Sequence, residues 1–486
     1  MNNSVTIKDG NNSVTVFPAP AGASLNGRDF KVELGVGEKW LTPSVYKMKV
    51  SYGNKIHGYN LFYSSCIMAD ISGEVKVRVT SLSRNIEFCK IRPVSDNVKF
   101  DFNRNTVTFT VDRPLKLSLE INGDIYRNLH LFFNAPEENI PDKNDPNVIY
   151  IPAGIHTSEN CDLIEISPNM EPVIYVPDGK TLYLEGGSIV KAHIHIIGDN
   201  ATVCGRGIID LIDTNAVTCV ANDLPDRNIY PRGIKLDHCD NVVVRDIMVK
   251  NPCHYLISGN QCTNVTLDNL KLFACHSWSD GIDMMSASHI RINNCFIRSN
   301  DDSIAIYNRR WDCVGDSFDW VVENCILWAD GAHTINIGSH GSQNPKLREE
   351  IYDIHFKDID ILGVTCGSPV YWGSMAFSVG DECICRDFTF ENIRVDDFDS
   401  SCLFFIKVQM NRDFNPCPGY MVKDITFKDI YYNGANQNPS TIEGYDSERL
   451  VKNVTFENLV INGKRMKSFE EANIIIGDNT ENIVIR

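Results

Sequence analysis

Residues 264–270 read NVTLDNL, and variants of this phrase recur through the second half of the chain. Apolar and polar residues alternate within the phrase, which is the pattern of a strand with one buried face. Successive copies begin 23 to 37 residues apart, so each copy is one structural unit and the loops between copies vary in length. The other copies are NVVVRDI (241–247), HIRINNC (289–295), DWVVENC (319–325), DIHFKDI (353–359), DFTFENI (387–393), DITFKDI (424–430), NVTFENL (453–459) and a partial NIVI (482–485).

These repeats predict a right-handed parallel β-helix. No helical period competes with the strand pattern, and repeats of roughly 30 residues bury a continuous core when their coils stack about 4.8 Å apart. The sixth position of each copy is Asn or Asp, which tolerates a left-handed turn, so we expect a polar row there: Asp246, Asn269, Asn294, Asn324, Asp358, Asn392, Asp429 and Asn458. An equivalent apolar position should form a buried row: Val265, Ile290, Trp320, Ile354, Phe388, Ile425 and Val454.

The first part of the chain has a different pattern. Alternating segments such as TVTFTVD (106–112) and LKLSLEING (115–123), separated by turn signals, predict a β-sandwich over residues 1–135. Residues 136–146, rich in Pro, Asn and charge, are predicted to be a linker, and the β-helix is expected over 147–486. The prediction is therefore an all-β chain in which the sandwich caps one end of the solenoid and protects its edge.

Composition limits the classes of partner. The chain has 46 basic and 63 acidic residues, and its net charge of −17 disfavours nucleic acid and anionic membrane surfaces as partners. It has neither a signal-like start nor an apolar run of about 18 residues, so we expect a soluble protein. It is expected to be cytoplasmic, or secreted with its signal removed, and the cytoplasm is slightly favoured. The 17 cysteines lack metal-site spacing and are predicted to be small buried residues, with no metal or cofactor. The oligomeric state is left open.

Adjacent acids stand at the start of one strand-like segment, NDDSIAIY (300–307), as Asp301 and Asp302. One coil earlier, SDGID (279–283) contains Asp280 and Asp283, and one coil later AHTINIGSHG (332–341) contains His333. Because successive coils stack, these side chains should gather on one face within about 10 Å.

Grouped carboxylates have a specific use in glycoside hydrolysis. One acid protonates the leaving oxygen while another activates water, and in inverting enzymes the two stand about 6.5–9.5 Å apart, a gap that a one-coil offset from Asp301 to Asp280 could supply. Crowding raises the pKa of one acid, which then keeps a proton near neutral pH. Aromatic and polar residues nearby suit a sugar, and we predict these as substrate-binding: His276, Trp278, Asp283, Tyr307, Arg309, Arg310, Trp311, His340, Trp372 and Lys407.

The SDGID, NDD and HTINIGS blocks resemble the NTDG(I/F)D, (D)DC(I/V)A and GHG(I/L)SIGS blocks of glycoside hydrolase family 28, the polygalacturonases. NDDSIAIY is also similar to a block of glycoside hydrolase family 49, the dextranases and isopullulanases, which carry a β-sandwich before the β-helix. The resemblance implies an inverting hydrolase in which Asp301 is the general acid. It further implies that Asp280 and Asp302 hold and deprotonate the attacking water and that His333 assists.

One departure from family 28 concerns the substrate. Where that family has an Arg-Ile-Lys triplet that clamps galacturonate, this chain has Ser-Met-Ala at residues 374–376. Without a cationic clamp, and with a net charge of −17, the chain is predicted to act on a neutral α-linked oligo- or polysaccharide, as a dextranase does. Lys407, Arg309 or Arg310 could replace the clamp, so a polygalacturonase-like pectin hydrolase is the alternative.

A different class of function is a non-catalytic carbohydrate-binding β-helix whose acids bind Ca²⁺ or nothing. Three acids and a histidine in register on consecutive coils favour the enzyme. Long loops at residues 212–232 and 308–318 could close one end of a groove and favour exo action. The sequence leaves the sugar and the linkage open.

Overall fold

Two β-rich units follow each other along the chain. The first is a mostly antiparallel sandwich with one parallel pair, and its last strand ends at residue 134. The second is a parallel β-helix whose first strand begins at residue 148. The computed structural model describes residues 4–53, 60–169, 171–211, 232–398, 400–412, 414–435 and 438–486. Within these ranges the only helical element is a 3₁₀ turn, Val94–Asp96. The described residues thus contain no helix that is long and apolar enough to cross a bilayer.

The sandwich consists of two sheets around an apolar core, into which alternate residues of each strand point. The seven-stranded sheet contains β1 (Val5–Asp9), β2 (Asn12–Val16), β5 (Tyr46–Tyr52), β6 (Asn60–Ser72), β8 (Cys89–Arg92), β11 (Leu115–Ile121) and β12 (Asp124–Asn134). The five-stranded sheet contains β3 (Phe30–Val36), β4 (Lys39–Leu41), β7 (Val75–Ser81), β9 (Phe100–Phe102) and β10 (Thr106–Val111).

The β-helix has a longer sheet of 20 strands, which carries the recurrent phrase. Its strands pair in parallel from coil to coil, except for one antiparallel pair near the end of the chain. They are β13 (Val148–Ile151), β14 (Gly154–His156), β17 (Thr181–Leu184), β18 (Ser188–Val190), β20 (Thr202–Gly205), β21 (Ile208–Asp210), β23 (Asp240–Arg245), β24 (Met248–Lys250), β26 (Thr263–Asp268), β27 (Lys271–Phe273), β29 (Ser288–Asn293), β30 (Phe296–Ser299), β32 (Ser317–Glu323), β33 (Ile326–Ala329), β35 (Glu350–Val364), β37 (Ile384–Val395), β39 (Met421–Tyr432), β41 (Val451–Ile461), β42 (Lys464–Arg465) and β44 (Thr480–Ile485).

A shorter sheet of 12 strands forms another side of the coils. Its strands alternate between side chains in the solenoid core and side chains on the outer face, where a ligand can reach them. They are β15 (Glu165–Ile166), β16 (Pro172–Val176), β19 (His193–Ile196), β22 (Ile234–Asp237), β25 (Ile257–Asn260), β28 (Ile282–Met285), β31 (Ile304–Tyr307), β34 (Ile335–Ile337), β36 (Met375–Val379), β38 (Phe404–Val408), β40 (Ser440–Glu443) and β43 (Ile474–Ile476). The structure is thus the predicted right-handed parallel β-helix with an N-terminal sandwich.

Both predicted rows of the repeat are present. The apolar row pairs in register from Val265 to Val454 and is buried along its whole length. Every residue of the polar row has the predicted left-handed backbone, and Asn269 Nδ2 donates a hydrogen bond to Asp246 Oδ1 one coil away at 2.8 Å. Thirteen of the sixteen described cysteines are buried, which confirms their prediction as small core residues.

Replacement of Ile354 by Asp tests this register. Ile354 is fully buried between Trp320 and Phe388, so the new carboxylate would lie unpaired in an apolar core. We expect the free energy of unfolding, measured by denaturant titration, to fall by more than about 3 kcal/mol. Asp353→Asn, at the exposed neighbouring position, is the control. A denaturation midpoint like that of the parent protein would place Ile354 outside the core row.

The sandwich packs against the side of the β-helix. Phe132 of the sandwich lies in one apolar cluster with Phe273 and Phe296 of the longer sheet. A buried polar contact crosses the same interface, where Arg206 Nε donates to Asp70 Oδ1 at 2.8 Å. The expectation that the sandwich caps the solenoid end is therefore wrong. The stacked rings of Phe273 and Phe296 project from the side of the longer sheet, and the sandwich packs on them there.

Candidate active site

The grouped acids lie where strands of the shorter sheet begin. The first residues of β28, β31 and β34 pair with one another in register. Asp280, Asp302 and His333 each lie two residues before that position, so they occupy equivalent places on three successive coils. With Asp301 beside Asp302, carboxylate oxygens of the three aspartates lie within 4.8 Å of one another. Such a group could also hold a cation, although acid–base hydrolysis requires none.

Asp302 is surrounded by hydrogen-bond donors. The Asp302 Oδ1 atom accepts from the backbone N–H of His333 at 3.1 Å and is 2.6 Å from His333 Nδ1. Asn336 Nδ2 donates to Asp302 Oδ2 at 2.7 Å. Donors directed at both oxygens hold this carboxyl group in one orientation.

Asp301 has a different environment, although it is the next residue in the chain. It is half-buried, and its Oδ2 accepts one hydrogen bond from the backbone N–H of Trp278 at 3.0 Å. Trp278 reaches this position with a left-handed backbone, φ 64°, a conformation that costs energy in a bulky residue and is concentrated at functional sites. Burial raises the pKa of Asp301 to about 6, and the negative charge of Asp302 contributes to that rise.

Asp280 and Asp283 are buried more deeply than Asp301. Burial raises the pKa of Asp280 well above its usual value, and the charges of Asp283 and Asp301 raise it further. Burial also raises the pKa of Asp283 well above its usual value, against the opposing positive charge of Arg310. Burial and neighbouring charge thus disfavour the ionised form of both carboxyl groups.

His333 is fully buried and is held from two sides. Its Nδ1 atom contacts Asp302, while its ring meets the ring of Tyr371 edge-on at 4.6 Å between centres. The Tyr371 hydroxyl accepts a hydrogen bond from Asn336 Nδ2 at 2.9 Å, so Asn336 joins Tyr371 to Asp302. His333 Nε2 is buried and has no hydrogen-bond partner among the described residues, so the contacts of the ring nitrogens are confined to Nδ1.

A cavity of about 540 Å³ is connected to the acids through an aromatic side chain, although the four grouped aspartates do not line it. Phe414 links the two, because it lines the cavity and its ring centre lies 6.1 Å from that of Trp278 and 5.1 Å from that of Tyr371. Aromatic surface combined with a few polar groups suits a sugar ring. The other side chains that border the cavity include Arg309, Arg310, Trp311, His340 and Asp381.

The two arginines of this cavity differ in their partners. Arg309 is neutralised by Glu349 through two hydrogen bonds of 2.6 and 3.1 Å. Arg310 forms no ion pair within the described part of the chain, and its guanidinium carbon lies 4.8 Å from the ring centre of Trp311 and 5.5 Å from that of Tyr307. The positive charge of Arg310 is therefore available to a ligand in the cavity.

Comparison with known proteins identifies the family. The family model of Glycosyl hydrolases family 28 matches residues 178–479, most of the β-helix. The chain belongs to glycosyl hydrolases family 28. Among solved structures, this family 28 member is similar to Dex49A from Penicillium minioluteum, with a TM-score of 0.60 and 12% identity over 100% of both chains. At that identity the likeness concerns the fold alone.

The family 28 member also has curated relatives. It is 24% identical to a polygalacturonase of Gossypium barbadense over 335 residues, which covers 60% of this chain and 76% of the relative. It is 24% identical to a polygalacturonase of Chamaecyparis obtusa over 210 residues, 42% of this chain and 38% of that protein. The chain also matches a polygalacturonase of Juniperus ashei over 37% of that protein. It therefore spans less than two fifths of the length of the Chamaecyparis obtusa and Juniperus ashei proteins.

Several residues predicted to bind substrate lie in or beside this site of the family 28 member. His276 and Trp278 are half-buried in the turn before Asp280, and the His276 backbone bonds the Ser279 hydroxyl at 3.0 Å. Tyr307 is buried and meets the ring of His340 edge-on at 4.9 Å. The predicted loop at 212–232 lies outside the described residues except for its last position.

Two predicted residues lie elsewhere. Trp372 packs against Ala376, Cys402 and Phe405, and its neighbour Tyr371 makes the contact with His333 instead. Lys407 forms an ion pair with Glu443, 2.7 Å between Nζ and Oε2, which neutralises its charge. Sequence reasoning also missed Asn336 and Phe414. Asn336 stands inside the quoted HTINIGS block and could have been found from its outward position in the strand, whereas Phe414 carries no signal in the sequence.

Proposed function

We propose that this protein hydrolyses an α-glycosidic bond, with Asp301 as general acid and Asp302 as general base. The observation that carries the proposal is the contrast between these neighbouring carboxyl groups. Asp302 receives donors at both oxygens, whereas Asp301 is half-buried beside other acids, and its pKa rises to about 6. Two adjacent carboxyl groups in different surroundings can take the separate roles that acid–base catalysis needs.

The reaction follows from this contrast. Protonated Asp301 gives its proton to the glycosidic oxygen as the bond to the anomeric carbon breaks, while Asp302 takes a proton from the water that attacks that carbon. Asp280, one coil from Asp302, holds the water through hydrogen bonds in our proposal. His333 is a positioning residue that keeps Asp302 oriented through its backbone N–H and its Nδ1 atom. One water is consumed, and proton exchange with solvent restores both acids.

The stereochemical part of the proposal is inversion, and it rests on family membership. The distance between the carboxyl groups does not support inversion. Oxygens of Asp280 and Asp301 lie within 4.8 Å of each other, whereas the carboxyl groups of inverting pairs are typically about 6.5–9.5 Å apart. The shorter gap arises because adjacent coils are only about 4.8 Å apart. Expecting the longer gap from a one-coil offset was wrong.

The pH dependence of hydrolysis tests the acid. Asp301 must be protonated to act, and its pKa is about 6, so kcat/KM should fall as the pH rises through about 6, approaching tenfold per pH unit above it. A pH series on the wild-type protein with an α-linked oligosaccharide measures this. Activity that stays constant up to pH 8 would contradict Asp301 as the acid.

For the substrate we propose an α-linked galacturonan, since the curated relatives are named polygalacturonases and Arg310 offers an unpaired charge beside the acids. A guanidinium group can bind a carboxylate through two parallel hydrogen bonds. A neutral α-glycan is the second candidate. Met375 and Phe377 of β36 face the core, so the outward-facing residues of this strand are Ala376 and Ser378. Neither carries a positive charge that could bind a uronate, which favours a neutral substrate.

Substitution of Arg310 by Gln separates these candidates. If Arg310 binds a uronate, KM for oligogalacturonate should rise about 10- to 100-fold, while hydrolysis of the methyl-esterified substrate should change little. Arg309→Gln is the matched control, since Glu349 already neutralises that arginine. Equal effects of Arg310→Gln on the free acid and the ester, or wild-type activity restricted to neutral α-glucans, would favour the second candidate.

A further inference from the structure

One end of a sandwich strand contacts the turn that carries the acids. β5 ends at Tyr52, and the residues around this end meet Asn300, the residue directly before Asp301. Asn300 is fully buried, and its Nδ2 donates to Ser51 Oγ at 2.7 Å and to the Gly53 carbonyl oxygen at 2.7 Å. A side chain next to Asp301 is thus fixed by a domain almost 250 residues earlier in the chain.

The same strand end contacts the next coil. The Gly53 backbone N–H donates to the Asp330 carbonyl oxygen at 2.9 Å, and the Ser51 backbone hydrogen-bonds the Asp330 carboxylate. Asp330 lies three residues before His333 in the chain. A Cβ atom on Gly331 would lie 2.6 Å from the Asn300 carbonyl oxygen and 2.9 Å from that of Gly53, so this junction has no room for a side chain.

A buried ion pair stabilises Asp330, the residue that the end of β5 contacts. Arg298 and Asp330 are both at most 1% exposed, and they form two hydrogen bonds of 2.9 and 3.1 Å. Arg298 Nη1 also donates to the carbonyl oxygen of Ile125 in the sandwich at 3.1 Å, and its guanidinium stacks on Trp328 at 3.9 Å. The coil that contains Asn300, the coil that contains Asp330 and the sandwich are therefore joined next to the turn that carries Asp301 and Asp302.

We propose that the sandwich is part of the catalytic unit and that Asn300 is a positioning residue. Ser51 and Gly53 hold Asn300, and Asn300 fixes the backbone of Asp301 and Asp302 relative to His333. Reacting groups must keep their geometry closely, and a displacement of about 1 Å can cost roughly 100-fold in rate. The activity part of this proposal rests on the proposed function, whereas the ordering of the turn does not.

A purely structural contact between the domains predicts different behaviour. In that case loss of the Asn300 bonds would lower the melting temperature, yet kcat and the pH profile of the folded protein would stay as in the wild type. Ser95 provides the matched control, because its hydroxyl also crosses the interface, donating to Asp360 Oδ1 at 2.9 Å, in a separate region of that interface.

The experiment compares Asn300→Ala, Ser51→Ala and Ser95→Ala at a temperature where all three are folded. For Asn300→Ala we expect kcat to fall about 10- to 100-fold with KM changed less than about threefold. Its decline in kcat/KM with rising pH should also begin at lower pH, since a loosened Asp301 loses burial. Ser51→Ala should show the same changes to a smaller extent, and Ser95→Ala should show none.

Hydrogen exchange of the backbone amides at residues 299–303 gives a second readout that needs no activity. Exchange should be faster in Asn300→Ala and Ser51→Ala and unchanged in Ser95→Ala. Unchanged exchange in Asn300→Ala, or wild-type kcat and pH profile in that variant, would overturn the proposal. A wild-type protein that hydrolyses no α-glycan would instead refute the proposed function, and the exchange result would still decide the positioning role.

Discussion

Asp301→Asn should lower kcat for the natural glycan by about 10²- to 10⁴-fold, the usual contribution of a general acid. The amide cannot donate a proton to the glycosidic oxygen, although its shape and its bond from the Trp278 N–H are preserved. A dinitrophenyl glycoside of the same sugar has a leaving group that needs little protonation, so its hydrolysis should fall by less than about tenfold. The comparison of the two substrates is the measurement.

Asp353→Asn serves as the control for this variant. It makes the same chemical change in an exposed acid, whose side chain is 56% accessible, and should leave both activities unchanged. Equal losses of Asp301→Asn on the natural glycan and on the activated glycoside would exclude Asp301 as the acid.

Asp302→Asn should remove activity on both substrates, by about 10³-fold or more, because no group then takes the proton from the attacking water. The three donors from His333 and Asn336 that now meet a carboxylate would meet an amide, which also disturbs the placement of His333. Steady-state rates on the natural glycan and the activated glycoside measure the effect.

Restoration of the activated-glycoside rate of Asp302→Asn by added azide would support loss of a base, since an external anion can replace the activated water. If the variant keeps normal activity on either substrate, another group activates the water, and Asp280 is then the first residue to examine.

The fold could be predicted from the sequence because its physics is local and repeated. Each copy of the NVTLDNL phrase alternates apolar and polar residues, and stacking of identical positions follows from the repeat, so the rows through Val265 and Asn269 were foreseeable. The alignment of Asp280, Asp302 and His333 followed from the same rule, since one coil separates each from the next.

Contacts between distant or irregular segments could not be predicted in this way. Tyr371 and Trp372 are adjacent in an irregular segment, and no pattern indicates which ring turns toward His333. The bond from Asn300 to Ser51 joins residues 249 positions apart, and the periodicity of either segment carries no information about it. The left-handed backbone of Trp278 could not be predicted either, because it runs against the preference of a bulky residue.

The configuration of the first-formed product tests the central claim, single-step hydrolysis by Asp301 and Asp302, most directly. Nuclear magnetic resonance during the first minutes of hydrolysis of an α-linked substrate distinguishes the two anomers before they interconvert. Our account predicts that the newly released end appears first as the β-anomer, because water attacks the anomeric carbon opposite the leaving group. An α-anomer formed first would contradict it and would make one of the aspartates a nucleophile.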